Sequence, residues 1–313
     1  MRAAWLRRFG GPEVLRVEAT PDPEPGDGQV LIAVERTSLT FVETQVRAGR
    51  APFPVHLPMI PGNGVGGTVT AAGRGVDDAL VGRRVVTTTG GSGGHAELVV
   101  VDADQPIAVP DDLSLDDATA LLADGRTAMM LLDAAPVGPG DRVAVLAAAG
   151  GLGTLLVQEA VAAGAEVVGV VGGDNRARLV EELGAAAADH ARSAWQRHLG
   201  QPDVVFDGVG GPLAREVFHA MGPGGRIVSY GMASGQWAGL EASALAERQV
   251  TSIDSPAPSP EEARELSRRA LHAARHGRLR PVVGQRFPLE ESARAHETME
   301  ARVTLGKTIL TVG

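Results

Sequence analysis

The 313-residue chain contains no cysteine. That absence removes disulfides, a thiol nucleophile and cysteine-ligated zinc together. Aromatic residues make up only 3% of the chain, and Tyr230 is the single tyrosine. Because Tyr230 falls in an expected strand, no tyrosine proton donor is assigned. Lys307 is the only lysine among 29 basic residues, which reads as coding bias and not as a recognition surface. Positive charge is in deficit overall: the formal charge is −9, against a nucleic-acid binder with its basic face. No stretch approaches the ~20 uninterrupted apolar residues of a membrane span. The first ten residues carry Arg2, Arg7 and Arg8 where a secretory signal needs an apolar run. A cytoplasmic protein is the expectation. No internal repeat or low-complexity tract is present.

What is abundant is glycine, 41 residues in a chain that is 44% hydrophobic, with material for one large or two domains. The organising stretch is residues 141–174. Residues 143–146 form a short apolar run that reads as a buried strand. A tight turn, Ala147-Ala148-Ala149-Gly150-Gly151-Leu152-Gly153, leads into apolar residues at helical spacing that end at Gly164. Residues 167–171 make a second β-branched run, completing strand–turn–helix–strand. A side chain at Gly150 would stand between the backbone and a pyrophosphate. Gly153 lets the helix pack on the strand, and first-turn N–H groups face the phosphates. The pattern is A-x-G-x-x-G, with Ala148 where the first glycine usually stands, and its place in this unit points to dinucleotide binding. The cofactor-binding candidates here are Ala149, Gly150, Gly151, Leu152 and Gly153.

Residues 1–115 look β-rich, with strands expected at 14–17, 30–34, 68–71, 84–88 and 96–101 and a short helix at 40–47. Pro52, Pro54, Pro58 and Pro61 make a stiff irregular lead into a glycine-rich segment, 62–67. The pattern suggests a partly open barrel. Residues 116–135 turn helical. Strands at 204–207 and 226–230 then alternate with helices at 176–183 and 213–221, implying a doubly wound parallel sheet. Composition breaks at Ser255–Pro260, where Ser259 and Glu262 have capping-box spacing ahead of a helix reaching His276. A strand at 282–287, a helix at 290–301 and a strand at 307–312 finish the chain.

Several motifs in order, residues 9–15 (FGGPEVL), 21–26 (PDPEPG), 81–85 (VGRRV), 147–153, 207–211, 223–226 (PGGR) and Gly306-Lys307, resemble the zinc-free quinone oxidoreductases of the medium-chain dehydrogenase/reductase superfamily. The resemblance spans nearly the whole length. It implies an α/β protein: a central doubly wound Rossmann domain, 118–255, plus a β-rich, GroES-like, partly open barrel domain from 1–117 and 256–313. The nicotinamide is expected in the cleft between them, and a homodimer is expected. Zinc alcohol dehydrogenases share this fold and place a His-Glu pair after the glycine matching Gly62. Here Asn63 and Gly64 follow, and the upstream cysteine position falls near Ser38 or Thr40, so no metal is expected. The eight histidines are scattered, and each reads as a surface or packing residue.

A nicotinamide adenine dinucleotide site usually ends its second strand with an acid on the ribose. Here that strand ends Val171-Gly172-Gly173, with Asp174 late and Arg176 placed to pair a 2′-phosphate. NADPH is favoured over NADH; the plainer alternative is that Arg176 and Arg178 merely solvate a helix start. Gly172, Gly173 and Arg176 join the cofactor candidates, with His190, where relatives often place a tyrosine. Thr127, Val209 and Gly210 are expected beside the nicotinamide half, and Gly231 is a further cofactor-binding candidate. The family's cleft residues map onto Thr40, Glu43, Gln45, Asn63, Asp124, Thr127 and the 207–210 loop. Thr40 and Gln45 are the catalytic candidates, and Asn63 and Asp124 line the substrate cleft; Asp124 with Arg126 also reads as a structural ion pair. Hydride transfer needs geometry and a donor for the developing enolate, which solvent can protonate.

The expected activity is NADPH-dependent hydride transfer to a quinone or α,β-unsaturated carbonyl compound, a small-molecule substrate, with neither nucleic acid nor membrane as partner. Two alternatives stand beside it. One is a tailoring reductase or cyclase, its cleft widened by Gly64, Gly66, Gly67 and glycines at 90–94; the other is an NADPH-binding protein without turnover.

Overall fold

The computed structural model describes residues 1–51, 53–255 and 257–313. Pro52 and Pro256, which belong to two expected irregular segments, lie outside the described residues. Contacts divide the chain into two compact units. The first comprises Met1–Ala123, Ala270–Arg275 and Pro281–Gly313, and the second Asp124–Arg269 and His276–Arg280. The contact boundaries therefore depart from 117/118 and 255/256: most of the helix after residue 259 groups with the second unit.

The first unit opens with an antiparallel hairpin, β1 (Arg2–Leu6) and β2 (Leu15–Ala19). Then follow β3 (Gln29–Leu39), α1 (Phe41–Arg47), β4 (Gly64–Ala72), β5 (Arg84–Thr88), β6 (Leu98–Asp102) and β7 (Ile107–Ala108). The helix α2 (Leu115–Ala134) runs from the first unit into the residues of the second. The glycine-rich segment 62–67, to which no strand was assigned from the sequence, enters β4 at Gly64. Its glycines serve close approach: a Cβ on Gly66 would stand 2.2 Å from Thr119 Oγ1, and one on Gly67 2.0 Å from the Ala33 carbonyl. These strand glycines fill space tightly instead of widening a cleft, whereas Gly90 and Gly91 of the 90–94 loop have nothing within 4 Å of an added Cβ.

The second unit alternates strand and helix: β8 (Arg142–Leu146), α3 (Gly151–Ala162), β9 (Glu166–Val171), α4 (Asp174–Glu182), β10 (Ala186–Asp189), β11 (Val204–Asp207), α5 (Gly211–Ala220), β12 (Arg226–Ser229), α6 (Ala242–Arg248), β13 (Thr251–Asp254) and α7 (Pro260–Arg275). The sheet order is β10-β9-β8-β11-β12-β13 with every pair parallel. Strands buried on both faces need continuous apolar runs, which Val143–Leu146 and Val167–Val171 supply. Their core is shared with Val205, Val217 and Phe218. Ser259 and Glu262 do form a capping box at the start of α7, with Ser259 N–H donating to Glu262 Oε2 at 2.8 Å.

The chain returns to the first unit with β14 (Val283–Pro288), α8 (Ser292–Glu300) and β15 (Lys307–Thr311). These close a seven-stranded sheet in the order β14-β15-β3-β4-β5-β7, with β6 paired to β3. Its core gathers Val30, Ile32, Val34, Val69, Leu289 and Leu310. Among the described residues no helix is long and apolar enough to cross a membrane.

Candidate functional site

In the second unit β8 ends in a turn at whose start Ala147 adopts φ 55°, a left-handed conformation unusual for a residue with a Cβ. Gly150 caps α3 in extended conformation, and its N–H donates to the Ala147 carbonyl at 2.9 Å. The two glycines differ in what surrounds them. A Cβ on Gly153 would lie 2.2 Å from the Ala147 carbonyl oxygen, so only glycine lets α3 start against β8. A Cβ on Gly150 would meet that oxygen at 3.2 Å and nothing else within 4 Å, so the space beyond it is open. The first-turn N–H groups of Gly151, Leu152 and Gly153 are those an α-helix leaves without intrahelical acceptors. Bare amides, a helix dipole and an open approach over Gly150 fit a diphosphate.

At the end of β9, Gly172 leaves room for the His190 ring: a Cβ there would stand 2.9 Å from His190 Nε2. Gly173 has φ 95°, and its N–H donates to Asp189 Oδ1 at 2.9 Å; Ala191 N–H donates to the same oxygen at 3.0 Å. These backbone donors hold the Asp189 carboxyl below its usual range. Arg176 Nη1 donates to the Gly172 carbonyl at 2.8 Å, bringing its guanidinium over the glycine pair. Asp174, one carboxylate that would oppose a phosphate, is paired with Arg192 at 2.6 Å. Three basic side chains, Arg176, His190 and Arg192, thus surround one short turn. Asp189 and Arg192 were not singled out in the sequence, because β10 is the weak strand Ala-Ala-Ala-Asp and gave no pattern to anchor them.

Further along the same unit, buried Asp207 organises the β11–α5 turn. Its Oδ1 accepts from Val209 N–H at 2.9 Å and Gly210 N–H at 2.8 Å, and Ser229 Oγ donates to Oδ2 at 3.2 Å. Burial pushes its carboxyl up, and these donors oppose the shift. The N–H groups of Val209 and Gly210 are therefore spent inside the turn, and the Val209 carbonyl accepts from Ser234 N–H at 2.9 Å. Gly231 is held close to Gly208, whose carbonyl would be 2.8 Å from a Cβ there. The Tyr230 ring packs over Gly208, and burial, with the charges of Asp207 and Asp124, raises its hydroxyl pKa. Thr127 lies half-buried in α2, one turn beyond Asp124. Burial lowers the Arg126 guanidinium pKa, with Asp124 opposing.

In the first unit Thr40 is the N-cap of α1, and Glu43 closes a capping box with it. Glu43 Oε2 accepts from Thr40 N–H at 2.6 Å and from Thr40 Oγ1 at 3.0 Å. Gln45 is engaged at both ends, donating to Thr44 Oγ1 at 3.0 Å and accepting from Arg50 Nε at 3.2 Å. Asn63 Oδ1 accepts from Gly91 N–H at 2.8 Å and so ties down the 90–94 loop. Six histidines are exposed, but His95 and His296 are fully buried. His95 lies against Gly62, where a Cβ would stand 2.5 Å from its ring. Among the described residues no three His, Asp or Glu side chains are grouped to hold a metal ion.

Comparison with known proteins places these features in context. The family described as alcohol dehydrogenase GroES-like domain matches residues 26–111, and that described as zinc-binding dehydrogenase matches 151–272. A quinone oxidoreductase of Pseudomonas aeruginosa is 32% identical over 96% of this chain and 97% of its own. A 2-haloacrylate reductase of a Burkholderia species is 32% identical over 98% of both chains. A mycobacterial protein solved in complex with NADPH is 33% identical, covers 99% of both chains and superposes with a TM-score of 0.89.

Proposed function

Since the chain belongs to the quinone oxidoreductase branch of the medium-chain dehydrogenase/reductase superfamily, we propose that it is an NADPH-dependent oxidoreductase that reduces a quinone or an α,β-unsaturated carbonyl compound without a metal ion. The observation that carries this reading is the open approach over Gly150 to the first-turn amides of α3. Those amides hold the diphosphate. Gly172 and Gly173 admit the adenosine ribose, and Arg176, with His190 and Arg192 nearby, meets the 2′-phosphate. Thr127, Val209 and Gly210 line the nicotinamide half, and Gly231 also borders the cofactor. Because the Val209 amide and carbonyl are engaged, its contribution is surface shape. When bound, NADPH supplies hydride.

On the substrate side Thr40 meets the acceptor's oxygen, with Asn63 and Asp124 bordering the substrate. Gln45, engaged with Thr44 and Arg50, supports α1 from beside Thr40. Support for the substrate class comes from relatives named for quinones and for a 2-haloacrylate, itself an α,β-unsaturated acid. Calorimetry with NADPH and NADH, followed by NADPH oxidation on addition of 1,4-benzoquinone, 9,10-phenanthrenequinone and a panel of enones, tests the reading. Saturable NADPH binding with turnover is expected. Tight binding with no turnover would favour the non-catalytic alternative, and no heat of binding would overturn the cofactor assignment.

A further inference from the structure

An open parallel sheet offers ligands the carboxyl ends of its strands, at the point where the strand order reverses. In the second unit that point lies between β8 and β11, with β9 and β10 to one side and β12 and β13 to the other. Two segments leave the sheet side by side at this end. They are the turn 207–211 after β11 and the loop 230–241 after β12, the two strands being parallel neighbours.

The loop is tied down on both sides of one residue. Ahead of it, Ala233 N–H donates to the Gly208 carbonyl at 3.2 Å and Ser234 N–H to the Val209 carbonyl at 2.9 Å. Ser234 Oγ donates to the Gln236 carbonyl at 3.0 Å. Behind it, Ala238 is buried and its carbonyl accepts from Arg215 Nη1 at 2.9 Å. Between these anchors stands Trp237, with 52% of its surface exposed. No other large hydrophobic side chain is so exposed among the described residues of the second unit. A Cβ on Gly210 would stand 2.1 Å from the Gln236 carbonyl oxygen and 3.2 Å from Trp237 Cα. Only glycine, here at φ 68°, lets the loop lie this close on the turn.

An indole held on anchored backbone presents a large flat apolar face at little cost in side-chain freedom. Its surroundings set what can cover it. The other exposed residues from 231 to 240 are Ser234, Gly235, Gln236 and Gly239, all small or polar. A subunit interface needs a contiguous apolar patch, which these residues do not supply. A solitary indole suits a single flat ring, and an electron-poor quinone matches its electron-rich face.

We propose that Trp237 is a specificity-determining residue that stacks on the ring of the acceptor, so that planar fused-ring quinones are preferred to small non-aromatic enones. The inference rests on the reductase reading above, which gives the turn beneath Trp237 to the nicotinamide half. Trp237 holds the ring plane and moves neither hydride nor proton.

The test is steady-state kinetics with NADPH and either 9,10-phenanthrenequinone or 2-cyclohexenone, in the wild type, Trp237→Phe and Trp237→Ala. Trp237→Ala is expected to raise KM for the quinone about 10-fold, the loss of one stacking contact and its area, with a much smaller change in kcat. KM for 2-cyclohexenone should move far less, and Trp237→Phe should keep most of the preference. A second readout needs no turnover. The chain has three tryptophans, of which Trp195 is buried. With NADP⁺ present, which has no hydride to give, phenanthrenequinone should quench the wild-type fluorescence saturably and quench Trp237→Phe far less. An active enzyme in which Trp237→Ala affects both acceptors alike, or neither, overturns the platform and leaves the reductase reading standing. An equal loss of NADPH affinity would give the indole to the cofactor, and a halved mass in sedimentation would give it to a subunit contact; either overturns the proposal. A wild type that binds NADPH yet reduces no quinone or enone overturns the reductase reading and the platform with it.

Discussion

Cofactor choice is set at the scale of single side chains. Arg176 is already folded over the Gly172 carbonyl, so little freedom is lost when it meets a phosphate. Asp174, the residue that argued against a 2′-phosphate, has its charge met by Arg192. A charge-assisted guanidinium–phosphate contact contributes about 1.5–3 kcal/mol. Arg176→Ala is therefore expected to raise the NADPH dissociation constant ~10- to 100-fold and to leave NADH nearly unchanged. Calorimetry with both cofactors decides it, and equal losses would remove Arg176 from the phosphate site. Arg176 was proposed for the phosphate from its spacing to Gly184. The neutralisation of Asp174 was not, because Arg192 reaches it from beyond β10, 18 residues away.

At the scale of elements, the β8–turn–α3 unit separates a packing glycine, Gly153, from one in open space, Gly150, proposed to face the cofactor. Gly153→Ala forces a Cβ against the Ala147 carbonyl, an overpacking that costs about 1–3 kcal/mol. Urea unfolding should show that loss. Gly150 has φ −84°, which alanine tolerates, and open space around it. Gly150→Ala is expected to unfold at nearly the wild-type urea concentration yet to bind NADPH markedly more weakly. Unchanged NADPH affinity in Gly150→Ala would place the diphosphate elsewhere. Elements with strong period or composition, such as β8, α3, β9, α2 and β11, were readable from the chain. β1, β7, β10, α6 and β13 were not, being short, small-residue or amphipathic in ways that only neighbouring strands resolve. The start of β4 before residue 68 was not readable, because its glycines take their strand role from close approach by Thr119 and Ala33.

For the molecule as a whole, two histidines in one fully buried cluster link stability to pH. His95 and His296 are both held below the ordinary histidine value of 6.5 by burial. In the folded chain they stay neutral where the unfolded chain takes up protons. Their contribution is therefore fully present above about pH 6.5 and is lost as pH falls below it, by at most about 2.7 kcal/mol per pH unit for two protons. Calorimetric melting between pH 7.5 and 5.0 (roughly the window in which a free histidine titrates) should show that fall. His296→Gln should reduce the slope by about half. A Tm independent of pH across this range would mean that both rings take up protons in the fold as they do in the unfolded chain.

The chain alone determined its class of fold and pointed to the turn proposed to hold a dinucleotide, because apolar period, strand–turn–helix order and glycine spacing are local properties written in neighbouring residues. The absence of cysteine from its 313 residues also excluded thiol chemistry and disulfides within them. Only the tertiary structure decided which side chains meet. Glu43 and His95 stand 52 positions apart, Arg47 and Glu300 still further, and Asp174 faces Arg192 across a strand end. Such meetings depend on how strands and helices pack, and burial then sets whether the groups carry charge, neither of which leaves a mark in local sequence.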